Sequence, residues 1–261
     1  MMIRQFSKHV HIENGWLSAR KKELHGLCKS HWHEFFELEY IVSGSGVYLI
    51  DGQRYPIAPG MLFWMSPVNF HRVEAERAQV FNIMFSEHIC EPSYLSRLLA
   101  ADTCALSVPP ADAHYLEQLM EQLVRSQEDK LLSSHLLSCI LAKLGEHVAP
   151  REAAEPSLSE ATLYAIKNFR SAPSLEQAAS AAGFSPAYFS ERFKKQHGIG
   201  YKEYVNGLQF DYAKKLLLFT DMTVLEISVE CGFGEYSNFV RRFKARFGVT
   251  PSDFRKKNRP P

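Results

Sequence analysis

Residues 183–204, GFSPAYFSERFKKQHGIGYKEY, return in altered form as residues 232–254, GFGEYSNFVRRFKARFGVTPSDF, and no other feature constrains the chain as strongly. When Gly183-Phe184 is laid over Gly232-Phe233, the pairs Phe189/Phe239, Phe193/Phe243, Lys194/Lys244, Gly198/Gly248 and Tyr204/Phe254 coincide. The register needs one extra residue in the second copy, between Phe233 and Phe239. A short helix-like run precedes each copy, over 175–182 and 224–231. Self-similarity at a spacing of about fifty residues means that one supersecondary unit is used twice. The unit reads as helix, glycine turn, helix.

The local chemistry of the first copy supports that reading. Ser174 can cap a first helix whose apolar positions are Leu175, Ala178, Ala179 and Ala182, small enough for a second helix to approach closely. Gly183 ends that helix and Phe184 fills the corner. Ser185-Pro186 is a cap followed by a first helical turn, after which Phe189 and Phe193 face inward. Ala187, Ser190, Glu191 and Lys194 then face outward, and Tyr236, Ser237, Val240, Arg241 and Lys244 do so in the second copy. Phenylalanine packing alone would explain one such hairpin. Two hairpins with matching turns and basic helix ends point instead to DNA.

The tract GF-x5-FVRRFKARFGVTPSDFR closely resembles the C-terminal signature of the AraC/XylS family of transcription regulators, and residues 223–255 match nearly throughout. The resemblance implies base-facing positions at Ala187, Ser190 and Glu191 in one unit and at Tyr236, Ser237, Val240 and Arg241 in the other. Phosphate contacts are expected from Lys194, Lys195, Arg242 and Lys244, and Ser185 completes the expected DNA-binding set. One departure is that the family's linker helix usually carries Arg in an LR-x-x-x-A-x-x-LL run. Here Gln209 follows Leu208 at that point, so a cationic contact expected of the helix is missing.

Net charge is close to neutral but unevenly shared. Residues 159–261 hold 16 Lys and Arg against 10 Asp and Glu, whereas residues 1–158 hold 14 against 19. A basic half beside an acidic half is expected when only one meets phosphate. No window has the apolar length of a membrane span, and the first residues form no signal-peptide pattern. The five cysteines are scattered and lack CxxC spacing, which suits reduced thiols in a cytoplasm.

The first 85 residues read as short strands divided by turns at Ser43-Gly44-Ser45-Gly46, Asp51-Gly52 and Ala58-Pro59-Gly60, the pattern of a sandwich or barrel. Within them, His31, His33 and Glu37 followed by Gly44 resemble the first cupin motif, HxH-x3-E-x6-G. On a strand both histidines and Glu37 would share one face. A second motif, from Pro59-Gly60 to His71, has looser spacing. A divalent metal would draw on His31, His33, Glu37 and His71. A pocket for a small polar effector would draw on the same groups with Tyr48, Trp64 and Asn82. The histidines could also satisfy one another at a barrel mouth. The loose second motif favours the pocket, with no metal or other cofactor. The arrangement resembles the sensor domain of AraC-type regulators, which implies an effector there.

Residues 92–148 show helical stripes, Leu116-Leu119-Leu123 and Leu132-Leu136-Ile140-Leu144. The family resemblance implies homodimer pairing through them. The expected architecture is therefore a β part followed by an all-α part. A cupin-like effector-binding barrel covers 1–90, a helical dimerisation segment 91–147, a linker 148–158, and a double helix-turn-helix DNA-binding domain 159–261. The expected function is sequence-specific transcription regulation by a small, sugar-like effector. The competing class is a metal-dependent cupin enzyme with an accessory helical domain.

Overall fold

The computed structural model describes residues 12, 15–33, 35–67, 69–99, 101, 103–148 and 156–258. The chain divides into two compact units, one ending at Glu155 and one running from Pro156 onward. Most of the expected linker, residues 149–155, lies outside the described residues. Its last residues do not behave as a linker, because Pro156 already begins a helix, and proline is well suited to a first helical turn.

The first unit is built on a six-stranded antiparallel sheet: β1 (Leu17–His31), β2 (Phe36–Ile50), β3 (Gln53–Ile57), β4 (Met61–Met65), β5 (His71–Phe85) and β6 (Ala105–Ser107). The path runs β1-β5-β2-β4-β6, with β3 paired to β2. Asp51-Gly52, both at positive φ, make the two-residue hairpin turn that the sequence predicts between β2 and β3. Residues 105–107, expected within a helical segment, instead extend the sheet beside β4, so the sheet domain passes the expected boundary at residue 90.

The glycine tract 43–46 is not a turn between strands. It is a bend inside β2, with register shifts against β5 between Ile41 and Ser43 and between Ser45 and Gly46. β1 shifts register at the same level, between Leu24 and Gly26. The consequence is large. His71 pairs with Ile50, thirteen positions along β2 from Glu37, roughly 43 Å in a straight strand at about 3.3 Å per residue. Yet His71 Nε2 lies 3.3 Å from Glu37 Oε2. The three long strands therefore fold over on themselves, and the two halves enclose a core of Ile41, Tyr48, Ile50, Phe63, Met65, Val73 and Val80. This curled sheet is the wall of the expected cupin-like barrel.

Helices α1 (Pro92–Leu99), α2 (Pro110–Ser126) and α3 (Lys130–Gly145) complete the unit. α2 is tied to the sheet by Tyr40, whose hydroxyl donates to Glu117 at 3.1 Å, and by Gln127, whose side-chain oxygen accepts from the Ala19 amide at 3.2 Å. The buried stripe of α3 is Leu137, Ile140, Leu141 and Leu144, rotated from the predicted one. Leu132 is exposed because the spacing of 3.6 residues per turn carries an i, i+4, i+8 row off the contact line.

The second unit contains α4 (Pro156–Asn168), α5 (Leu175–Ala181), α6 (Pro186–His197), α7 (Tyr201–Phe219), α8 (Val224–Glu230), α9 (Tyr236–Phe247) and α10 (Pro251–Asn258). The repeat is reproduced closely. α5 and α8 have 7 residues each and begin with capping boxes, Ser174 with Gln177 and Thr223 with Glu226. α6 and α9 have 12 residues each and end at left-handed glycines, Gly198 and Gly248. Phe189, Phe193, Phe239 and Phe243 are fully buried. Lys256 and Lys257 belong to α10, and Arg259 lies outside the described residues. Arg255 holds α10 in place, its Nε donating to the Leu217 carbonyl at 3.1 Å and its Nη2 to that of Met222.

Candidate functional site

The outer faces of α6 and α9 follow from their inner ones. Four-residue spacing of the phenylalanines commits one side of each helix to the core. In the first copy this leaves Ser185, Ala187, Ser190, Glu191, Lys194 and Lys195 exposed, and in the second Tyr236, Ser237, Arg241 and Lys244. Val240 and Arg242 are half-buried. The Arg242 guanidinium lies 5.3 Å from the Phe233 ring centroid and 5.5 Å from that of Phe210, so its charge sits at the edge of the aromatic core. Arg241 reaches back one turn, its Nη2 donating to Asn238 Oδ1 at 3.1 Å. The Ser185 side chain makes no capping bond to α6.

The buried polar site of the first unit lies where the folded-over strands meet. His33 stands in the segment before β2, Glu37 and Glu39 on β2, His71 at the start of β5, and Asn82 farther along it. All five are buried. Glu37 Oε2 lies 2.9 Å from His33 Nε2 and 3.3 Å from His71 Nε2, and Glu37 Oε1 accepts from Asn82 Nδ2. The same amide donates to Glu39 Oε1 at 2.9 Å. Glu39 also accepts from the Tyr48 hydroxyl and pairs with Lys22 Nζ at 2.7 Å.

Burial alone would raise the Glu37 carboxyl, but hydrogen bonds and charge from His33 and His71 outweigh it and hold that carboxyl well below the usual range. Burial alone would lower His71, and the hydrogen bond and charge of Glu37 reverse this, raising it. Burial, then the charges of Glu39 and Glu37, push the Tyr48 phenol up. Such an interior can bind a cation or a hydroxyl-bearing ligand through donors and acceptors already held in place.

A family model described as a helix-turn-helix domain matches residues 178–257, and one described as an AraC-like ligand binding domain matches residues 20–145. The chain belongs to the AraC family. It is a DNA-binding transcription regulator with an N-terminal ligand-binding domain, not an enzyme. An uncharacterised helix-turn-helix transcriptional regulator of Escherichia coli K12, YijO, is 28% identical over 84% of this chain and 78% of its own length. The transcriptional activator RhaS of Enterobacter sp. 638 is 24% identical over 86% of each chain. The C-terminal domain of AraT, a response regulator of Geobacillus stearothermophilus, is 27% identical over 42% of this chain and 92% of its own, with a TM-score of 0.41.

Several residues of this AraC-family chain are not where its sequence pattern suggests. Trp64 pairs with Leu38 across the sheet, whereas Glu37 and Glu39 pair with Met65 and Phe63. Directly opposed residues share a face, so Trp64 lies on the face away from the polar site, where its indole donates to the Leu98 carbonyl of α1 at 3.1 Å. His31 stays half-buried beside the site, its ring 4.2 Å from that of His71. Gln209 is not an outward position of α7 that lacks a cation. It is buried, and its Nε2 donates to the Phe169 carbonyl at 2.9 Å.

Glu39 was missed, although period two places it on the face of Glu37. Lys22 carried no local signal, since its role depends on the β1–β5–β2 order. Exposed Tyr188 and the basic Arg192 and Arg246 were also passed over, although each lies on α6 or α9.

Proposed function

We propose that this regulator reads DNA with both units at once, α6 and α9 lying in successive major grooves. The observation that carries this reading is the pair of equal-length, identically terminated helices with exposed outer rows. α7 joins the units with 19 residues, about 28 Å at ~1.5 Å per residue. With the width of the packed units added, the recognition helices come about one DNA turn apart, ~34 Å. Contacts from Lys194, Lys195, Arg242 and Lys244 to phosphate would hold that register.

Inserting half a turn, about five base pairs, between the two groove contacts of a bound site should weaken the full chain by about 2–4 kcal/mol, a large share of a usual specificity margin. Quantitative footprinting measures this, and unchanged affinity would mean that one unit reads DNA alone. Among the base-facing positions only Arg241 can make a bidentate guanine contact. Arg241→Ala should cost about 1–3 kcal/mol at one base position and relax preference there. An equal loss on every sequence, measured by competition binding, would instead make Arg241 a phosphate contact.

In the sensor, the reading is a small polar, sugar-like effector held among His31, His33, Glu37, Tyr48, His71 and Asn82 in a cytoplasmic protein. What supports it is the concentration of buried donors and acceptors, with Trp64 excluded by its facing. His33→Ala and Glu37→Ala should then abolish the effector response in a reporter assay while basal DNA binding persists. Homodimer pairing through α2 and α3 is favoured by Tyr115, Leu131 and Leu132, which are 50%, 71% and 45% exposed on these helices.

A further inference from the structure

We propose that His33, Glu37 and His71 form a binding site for one divalent first-row transition-metal ion. The surrounding hydrogen bonds fix the imidazole tautomers. His33 Nδ1 lies 2.9 Å from the Phe35 carbonyl oxygen, and His71 Nδ1 lies 3.3 Å from that of Asn69. A carbonyl only accepts, so each Nδ1 carries a hydrogen, and a neutral ring then presents a bare lone pair at Nε2. Both Nε2 atoms are aimed at one oxygen, Glu37 Oε2, at 2.9 and 3.3 Å.

A divalent ion among these atoms gives both Nε2 lone pairs and the Glu37 carboxylate one positive charge to converge on, while the nearby Glu39 stays paired with Lys22 at 2.7 Å.

The dimensions fit as well. The three donor atoms lie within 4.8 Å of one another. Metal bonds of about 2.0–2.2 Å place neighbouring ligand atoms about 2.8–3.6 Å apart in octahedral or tetrahedral geometry, a range that contains the observed 2.9 and 3.3 Å. Imidazole and carboxylate without thiolate suit manganese, iron, cobalt, nickel or zinc. The carbonyls on both Nδ1 atoms and the Asn82 amide on Glu37 Oε1 are outer partners of the kind that orient metal ligands. The ion site stands whether or not the effector is sugar-like, and three protein ligands leave coordination positions for oxygen from water or an effector.

Full-length protein stripped with a chelator and titrated with Co2+ should take up one equivalent per chain, develop visible ligand-field absorption and melt at a higher temperature. X-ray absorption at the cobalt edge should count two imidazoles with oxygen completing the shell. Glu37→Gln and His71→Ala should each weaken uptake by at least about 100-fold, while His135→Ala, exposed on α3, should leave it unchanged. If a variant fails to fold, the ligand count of the wild-type protein decides. The proposal is overturned if wild-type protein takes up no stoichiometric Co2+, Zn2+ or Mn2+, if fewer than two imidazoles are counted, or if folded His71→Ala binds as tightly as wild type.

Discussion

Gly232→Ala should abolish DNA binding by destabilising the second unit, whereas Gly183→Ala, at the equivalent turn of the first unit, should leave binding measurable. Both glycines follow a short first helix, at φ +79° and +70°, and alanine there costs about 1–2 kcal/mol through the left-handed backbone alone. Their surroundings differ. A Cβ on Gly183 would meet open space, but one on Gly232 would overlap the Arg170 carbonyl in the turn after α4 and crowd Gln209 Nε2. Neither neighbour can yield easily. The Gln209 amide is bound to the Phe169 carbonyl, and Arg170 pairs with Glu230 at 3.2 Å while its guanidinium lies 5.2 Å from the Tyr212 ring centroid. Backbone displacement adds roughly 1–3 kcal/mol, so Gly232→Ala should cost about 2–5 kcal/mol against about 1–2 for Gly183→Ala. Thermal unfolding and mobility-shift titration of the two variants measure the difference. Equal losses would mean that the close approach of the second turn to Arg170 does not hold the units together.

Gly44→Ala should be as damaging to the sensor. Gly44 sits at φ +106° within the bend of β2, and a Cβ there would overlap the Arg77 carbonyl and the Ala78 Cα of β5. Backbone strain of about 1–3 kcal/mol joins a clash with a paired strand that can move only by breaking its ladder, for a total of about 3–6 kcal/mol. Gly26 marks the same level of β1 at φ +72°, but a Cβ there would meet nothing within 4 Å, so Gly26→Ala should cost only about 1–2 kcal/mol. The sensor transition of Gly44→Ala should fall by roughly 10–20 °C, with loss of the near-ultraviolet signal of the buried tyrosines. If both variants melt together, the bend does not depend on close contact between β2 and β5.

The two cases mark what could be read directly from the chain. The helix-turn-helix pair was legible because its determinants are local. Ser174 and Gln177, Thr223 and Glu226, the Phe pairs and the terminal glycines act within a few residues of one another, and a repeat doubles the signal. The outward rows of α6 and α9 followed from the same periodicity. The hairpin at Asp51-Gly52 and the candidacy of His31, His33 and Glu37 were local in the same sense.

The rest depended on which segments meet. A glycine tract such as 43–46 has the composition of a turn, and only pairing with β5 on both sides makes it a bend within one strand. That bend carries His71 from the far end of the ladder to Glu37, which spacing in the loose second motif could not reveal. The facing of Trp64 was set by its partner Leu38, and the burial of Gln209 by the turn after α4. By itself the sequence determined the DNA-binding unit and its family, because propensity, capping and helical period act at short range. Only the tertiary structure decided the geometry of the sensor site, because its charges are brought together by contacts between residues far apart in the chain.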